Sequence, residues 1–100
     1  MNVQIEHKEN ECLATLSGRI DTTNAEQFQK DIEPLMTTDA RSIVMDCTEM
    51  EYTSSQGLRI ILMLQKSATA RGAKLVLRGM KPQVREVFDI TGFSNIICIE

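Results

Sequence analysis

The chain of 100 residues holds no tryptophan, one tyrosine, one histidine and two prolines. His7 stands beside Lys8 with no second histidine and no cysteine at metal-ligand spacing, so a zinc-type centre is not expected. The five glycines, at 18, 57, 72, 79 and 92, never fall into GxGxxG or GxxxxGK, which removes the phosphate-cradling loops of nucleotide-binding folds. Cys12, Cys47 and Cys98 are odd in number, widely spaced and set among apolar residues, so the sequence predicts three reduced core thiols rather than a disulfide framework. There is no basic excess: eleven Lys and Arg face fourteen Asp and Glu, a net charge of -3, and nucleic acid is excluded as a partner. Long hydrophobic runs are missing too. The longest uncharged apolar stretch, residues 60–64, is far too short to enter and cross a bilayer. The opening residues carry no basic leader followed by an apolar run, so no secretory signal is predicted and the cytoplasm is the expected compartment. With so few candidate bases, nucleophiles and ligands, neither catalysis nor a bound cofactor or metal is expected of this chain alone.

What is present is ordinary globular composition, 42% hydrophobic and 25% charged, as expected for one domain spanning residues 1–100. Val3 and Ile5 alternate with Gln4 and Glu6, and after the polar Glu9-Asn10-Glu11 turn the alternation resumes through Cys12, Ala14 and Leu16, which predicts an N-terminal hairpin. Thr23 followed by Glu26 has capping-box spacing, and Ala25, Phe28, Ile32 and Leu35 share a helical face, predicting one helix to about residue 36. Ile43-Val44-Met45 reads as a short parallel strand covered on both faces, followed by a polar stretch from 48 to 56. A helix over about 56–70, a strand at 74–78, a helix over about 82–90 and a strand at 96–99 complete the order β-β-α-β-α-β-α-β. Right-handed crossovers then give an α/β domain with a mixed, mostly parallel sheet and helices packed on it.

The most informative stretch is Tyr52-Thr53-Ser54-Ser55-Gln56-Gly57-Leu58, which sets three consecutive hydroxyls at a strand-to-helix junction. Capping alone accounts for such a string, since a hydroxyl oxygen accepts from the free amides of the first turn. A helix N-terminus also tolerates an anion, so a phosphate there would add charge without unfolding the helix, and the junction can act as a binding switch. From Leu58 to Leu64 six of seven residues are apolar, more than one packed face requires. Leu62 and Met63 flank Arg59 and Lys66 on the outer side and form a candidate contact surface. Asp21, in the bend after the second strand, could lie near the 53–55 junction, although capping of the following helix is the reading the residues favour.

Leu16-Ser17-Gly18-Arg19-Ile20-Asp21, then Ile43-Val44-Met45-Asp46-Cys47 leading to Tyr52-Thr53-Ser54-Ser55-Gln56-Gly57-Leu58-Arg59, and finally Val84-Arg85-Glu86-Val87-Phe88-Asp89-Ile90-Thr91-Gly92-Phe93 resemble the STAS domain family, in particular the bacterial anti-sigma factor antagonists. The resemblance spans nearly the whole chain. It implies a STAS-like domain and a partner switch in transcription regulation. Unphosphorylated, such a protein binds an anti-sigma factor that is also a serine kinase and frees a sigma factor; phosphorylated on one serine it lets go, and a PP2C-type phosphatase resets it. The family's phosphoacceptor lies two positions before the glycine, which here is Ser55; Ser54, where many members carry an acidic residue, is the second candidate. Asp21, Thr53, Ser54, Gln56, Gly57, Arg59, Leu62 and Met63 are the residues expected to meet the partner. ATP is expected on the kinase and not on this chain. Two alternatives stand beside this reading: an unphosphorylated STAS scaffold subunit of a lipid transport system, and a small-ligand or nucleotide binder using the same helix N-terminus. The sequence is silent on oligomeric state.

Overall fold

Alternating side chains at the start of the chain do form a hairpin in the computed structural model, which describes residues 1–100. Strands β1 (Asn2–Lys8) and β2 (Glu11–Ile20) pair antiparallel, with Val3 opposite Leu16 and Ile5 opposite Ala14 on the inner face. There follow α1 (Ala25–Asp31), α2 (Glu33–Thr37), β3 (Ser42–Thr53), α3 (Ser55–Ala70), β4 (Lys74–Arg78), α4 (Pro82–Ile90), a 3-10 turn at Phe93–Asn95 and β5 (Cys98–Ile99). The sheet order is β1-β2-β3-β4-β5, antiparallel at the first pair and parallel at the other three. The mixed, mostly parallel α/β sheet expected from the sequence is therefore the one observed.

Each new parallel strand is added on the same side of its predecessor, so right-handed crossovers bring all the helices to one face. Phe28, Ile32, Leu35, Leu58, Ile61, Leu64, Val84 and Phe88 from the helices meet Ala14, Leu16, Ile43, Met45, Leu75 and Leu77 from the sheet in a single cluster. The result is two layers, in keeping with a smallest dimension of 20 Å. Leu13, Val44 and Val76 are aligned across the other face and lie outside that cluster, so the central strands are covered by helices on one side and not on both. Val44 and Val76 are buried all the same, and Leu13 partly so.

Five local expectations are corrected. The predicted single helix is two helices broken at Ile32, because Pro34 has no N–H to donate and its ring would meet the carbonyl four residues back. Pro34 instead occupies the first turn of α2, where a missing donor costs little. The capping box does not form: Asn24 is the N-cap of α1 without a side-chain cap, and the Thr23 hydroxyl donates to Asp21 Oδ1 at 2.6 Å. Strand β3 runs on to Thr53 through the stretch read as a polar connection, with register shifts opposite Thr15–Ser17 and Gly18–Arg19. The last strand is only two residues long. Cys98, on the uncovered face beside Val76, is exposed, whereas Cys12 and Cys47 are buried; burial pushes the Cys47 thiol up to about 12, helped by the charge of Asp46.

Candidate functional site

The length of β3 decides where the hydroxyls sit. Ile20 and Thr53 are register partners at the ends of β2 and β3, and the Ser54 amide donates to the Ile20 carbonyl at 2.8 Å. The turn that carries Asp21 is thereby brought against the start of α3, as the sequence suggested. No loop intervenes between β3 and α3. Ser54 is the single N-cap residue, in extended conformation, and its Oγ accepts from the Gly57 amide at 3.3 Å. Its carbonyl accepts from Leu58 at 3.1 Å, the first bond of the helix.

The three hydroxyls have three different environments. Thr53 is buried at 3% exposure, and its hydroxyl donates to the Ser54 carbonyl. Ser54 is half-buried and holds the cap. Ser55, first residue of α3, is exposed, and no hydrogen bond within the chain engages its side chain. Thr53 and Gly57, both expected on the contact surface, face inward instead. A side chain at Gly57 would run into Thr53 Oγ1 and lie 2.9 Å from Ile20 Cγ2, so the glycine is there to let α3 approach the sheet ends.

Beside Ser55 a shallow groove of about 200 Å³ opens between α1 and α3, lined by Ala25, Glu26, Gln29, Gln56, Arg59, Ile60 and Met63. Of the residues expected to meet a partner, Gln56, Arg59 and Met63 come together here. Met63 is 43% exposed, large for an apolar side chain. Leu62 is only partly exposed and does not line the groove. Glu26 and Gln29 were missed in the sequence, although their spacing of three around the inward Phe28 marks them as the outer side of α1. Tyr52 was missed as well: 40% exposed, it lies under the Arg19 guanidinium, 4.5 Å from ring centroid to cation.

Asp21 closes its own turn. Its Oδ1 accepts from the Thr23 amide at 3.0 Å and from the Thr23 hydroxyl, while its amide donates to Asn24 Oδ1 at 2.9 Å. The Thr23 hydroxyl and amide bonded to the carboxylate, helped by the Asn24 amide and the charge of Arg19, hold that carboxyl below the ordinary value of 3.8. A lowered folded-state pKa contributes stability that is present above the unfolded value and lost as pH falls through the folded one. The thermal midpoint is therefore expected to drop on acidification from pH 5 to pH 3, and to drop less in Asp21→Asn; equal slopes by circular dichroism would contradict the carboxylate's role in the turn. No group of three or more His, Cys, Asp or Glu side chains gathers where it could hold a metal ion, and no helix is long and apolar enough to cross a membrane.

Comparison with known proteins places this geometry among relatives. The family model of the STAS domain matches residues 2–100. BtrV of Bordetella bronchiseptica is 38% identical over 84 residues, covering 84% of this chain and 72% of the relative. The anti-sigma-B factor antagonist of Listeria monocytogenes is 32% identical over 103 residues, covering 100% of this chain and 90% of the relative. The fold is that of SpoIIAA, an anti-sigma factor antagonist. Its unphosphorylated form superposes with a TM-score of 0.81 at 20% identity, covering 99% of this chain and 88% of the other. Its phosphorylated form gives 0.74 at the same identity, covering 99% and 91%.

Proposed function

The chain belongs to the STAS domain family, and from that membership we propose that it is an anti-sigma factor antagonist whose hold on its partner is ended by phosphorylation of Ser55. The partner in this reading is an anti-sigma factor that is also a serine kinase. It brings its own ATP, and a PP2C-type phosphatase restores the binding form. The observation that carries the reading is the contrast among the three hydroxyls: Ser55 alone is exposed and free of internal hydrogen bonds, while Thr53 is buried and Ser54 caps α3. A kinase can reach Ser55 without disturbing the cap. The groove between α1 and α3, with Met63 at its side, gives the partner an apolar footing next to that serine.

Phosphorylation adds a charge of about -1.5 to -2 at neutral pH. A hundredfold loss of affinity corresponds to about 2.7 kcal/mol, which new charge and bulk at the edge of an interface can supply. Ser55→Ala should bind the kinase and resist release, and Ser55→Asp should bind poorly. The decisive experiment is affinity purification of the tagged chain from its own cells, with mass spectrometry of bait and companions. Trypsin releases residues 42–59 as one peptide, whose fragments separate Thr53, Ser54 and Ser55. A phosphate on Ser55 and a co-purified kinase-like ATPase is the expected result. Phosphate on Ser54 alone, or an unmodified peptide travelling with transporter subunits, would overturn the proposal.

A further inference from the structure

Arg59 lies one helical turn after Ser55, at the i+4 position on which a helix brings two side chains together. Both residues are exposed, and Arg59 takes part in none of the chain's three ion pairs. It reaches into the groove between α1 and α3, where Glu26 of α1 is the only other charged lining residue. The remaining charges near the junction are committed or turned elsewhere. Arg19 is stacked on Tyr52, Asp21 is held by Thr23, and Lys30 lines an adjoining hollow with Glu33 on the far side of Glu26 and Gln29, and is not among the residues of the groove itself.

We propose that Arg59 is the internal receiver of the phosphate: once Ser55 is phosphorylated, the guanidinium pairs with it and is withdrawn from the groove. The inference rests on the reading of Ser55 as the modified residue. An acidic group placed four residues before a basic one is the favourable order along a helix. The guanidinium fork pairs bidentately with phosphate as it does with carboxylate, but the phosphate carries up to twice the charge of Glu26 across the groove, with which Arg59 forms no ion pair. The groove would then change in two ways at once, gaining the phosphate and losing the free cation beside Met63 and Gln56. Release follows from what the groove no longer offers as well as from what it newly repels. Arg59 is in this sense a positioning residue, since it acts through the phosphate.

The test needs no partner. Phosphoserine is installed at position 55 of the full chain during translation, and its phosphorus resonance is followed through a pH titration, alone and with Arg59→Gln or Arg59→Lys. The helix N-terminus and Glu26 are common to all three proteins and cancel in the comparison. The second phosphate pKa is expected about 0.2 to 0.4 units lower with Arg59 than in Arg59→Gln, from the usual strength of an i,i+4 pair. Arg59→Lys should retain part of that difference, and 1 M salt should shrink it. Titration curves that coincide for the unsubstituted and Arg59→Gln phosphoproteins would overturn the pairing. A shifted curve together with a cell-derived peptide that carries no phosphate on Ser55 would sink the reading of Ser55 and leave the pairing intact.

Discussion

Phe28→Ala is expected to lower the free energy of unfolding by about 3 to 5 kcal/mol. The side chain is 1% exposed and belongs to the core cluster, on the inner side of the same short helix whose outer side supplies Glu26 and Gln29 to the groove. Alanine would leave a cavity that α1 cannot close, because its neighbours Ile32 and Leu35 are already fully packed. A domain of this size is stable by about 5 to 15 kcal/mol in all, so the loss takes a large share and lowers the thermal midpoint by roughly 12 °C or more. Urea unfolding followed by circular dichroism measures it. Phe88→Ala in α4 is the companion, equally buried but on a helix that contributes no residue to the groove. Where both proteins remain folded, only the Phe28 variant is expected to bind the partner more weakly. A loss below about 1 kcal/mol at Phe28 would contradict its place in the core.

Gly57→Ala opposes two effects at one atom. Alanine gains about 1 kcal/mol over glycine inside a helix. Against this, the added methyl meets Thr53 Oγ1 and lies 2.9 Å from Ile20 Cγ2, closer than real side chains come. Neither neighbour can yield easily: Ile20 is fully buried, and the Thr53 hydroxyl is tied to the Ser54 carbonyl. Overpacking of this kind typically costs about 1 to 3 kcal/mol, so the steric effect offsets or exceeds the helix gain and a net destabilisation of up to about 2 kcal/mol is expected. The displacement would be felt where α3 begins, which moves Ser55 relative to the groove. The double variant Gly57→Ala/Thr53→Ala should recover part of the loss as a measurable coupling. If Gly57→Ala stabilised the protein outright, the close approach of α3 would be wrong.

The sequence announced the hairpin well because its apolar residues alternate, and α3 well because a long apolar-rich run there meets no glycine or proline between Gly57 and Gly72. It hid β3 for a physical reason. Thr48, Glu49, Glu51 and Tyr52 turn to water, only Met50 and Thr53 turn inward, and the register shifts opposite β2 break the two-residue alternation. The break at Ile32 was hidden in the opposite way, since Ala25, Phe28, Ile32 and Leu35 face the core on both sides of it. Period alone cannot see a kink that preserves the buried face. At the site, the string of hydroxyls was legible as a string, but not the division of labour within it. That division depends on Thr53 being the last residue of a strand, and on β2 ending level with it. The groove could not be read either, because three of its seven lining residues come from α1 and the pairing of α1 with α3 is a tertiary fact.

The strand order bears on how such a chain acquires its shape. Position in the sheet repeats position in the sequence from first strand to last, so no strand has to insert between two that are already paired. Every parallel pairing closes a loop of only one helical crossover, which keeps the entropic cost of each closure small. Contacts that are near in sequence form fast, and a sheet built by accretion at one side leaves a single growing edge to be paired, the β1 edge staying as it is from the start. A chain emerging from the ribosome can therefore assemble in the order in which it is made, with the hairpin as the seed and β5 as the last row laid down.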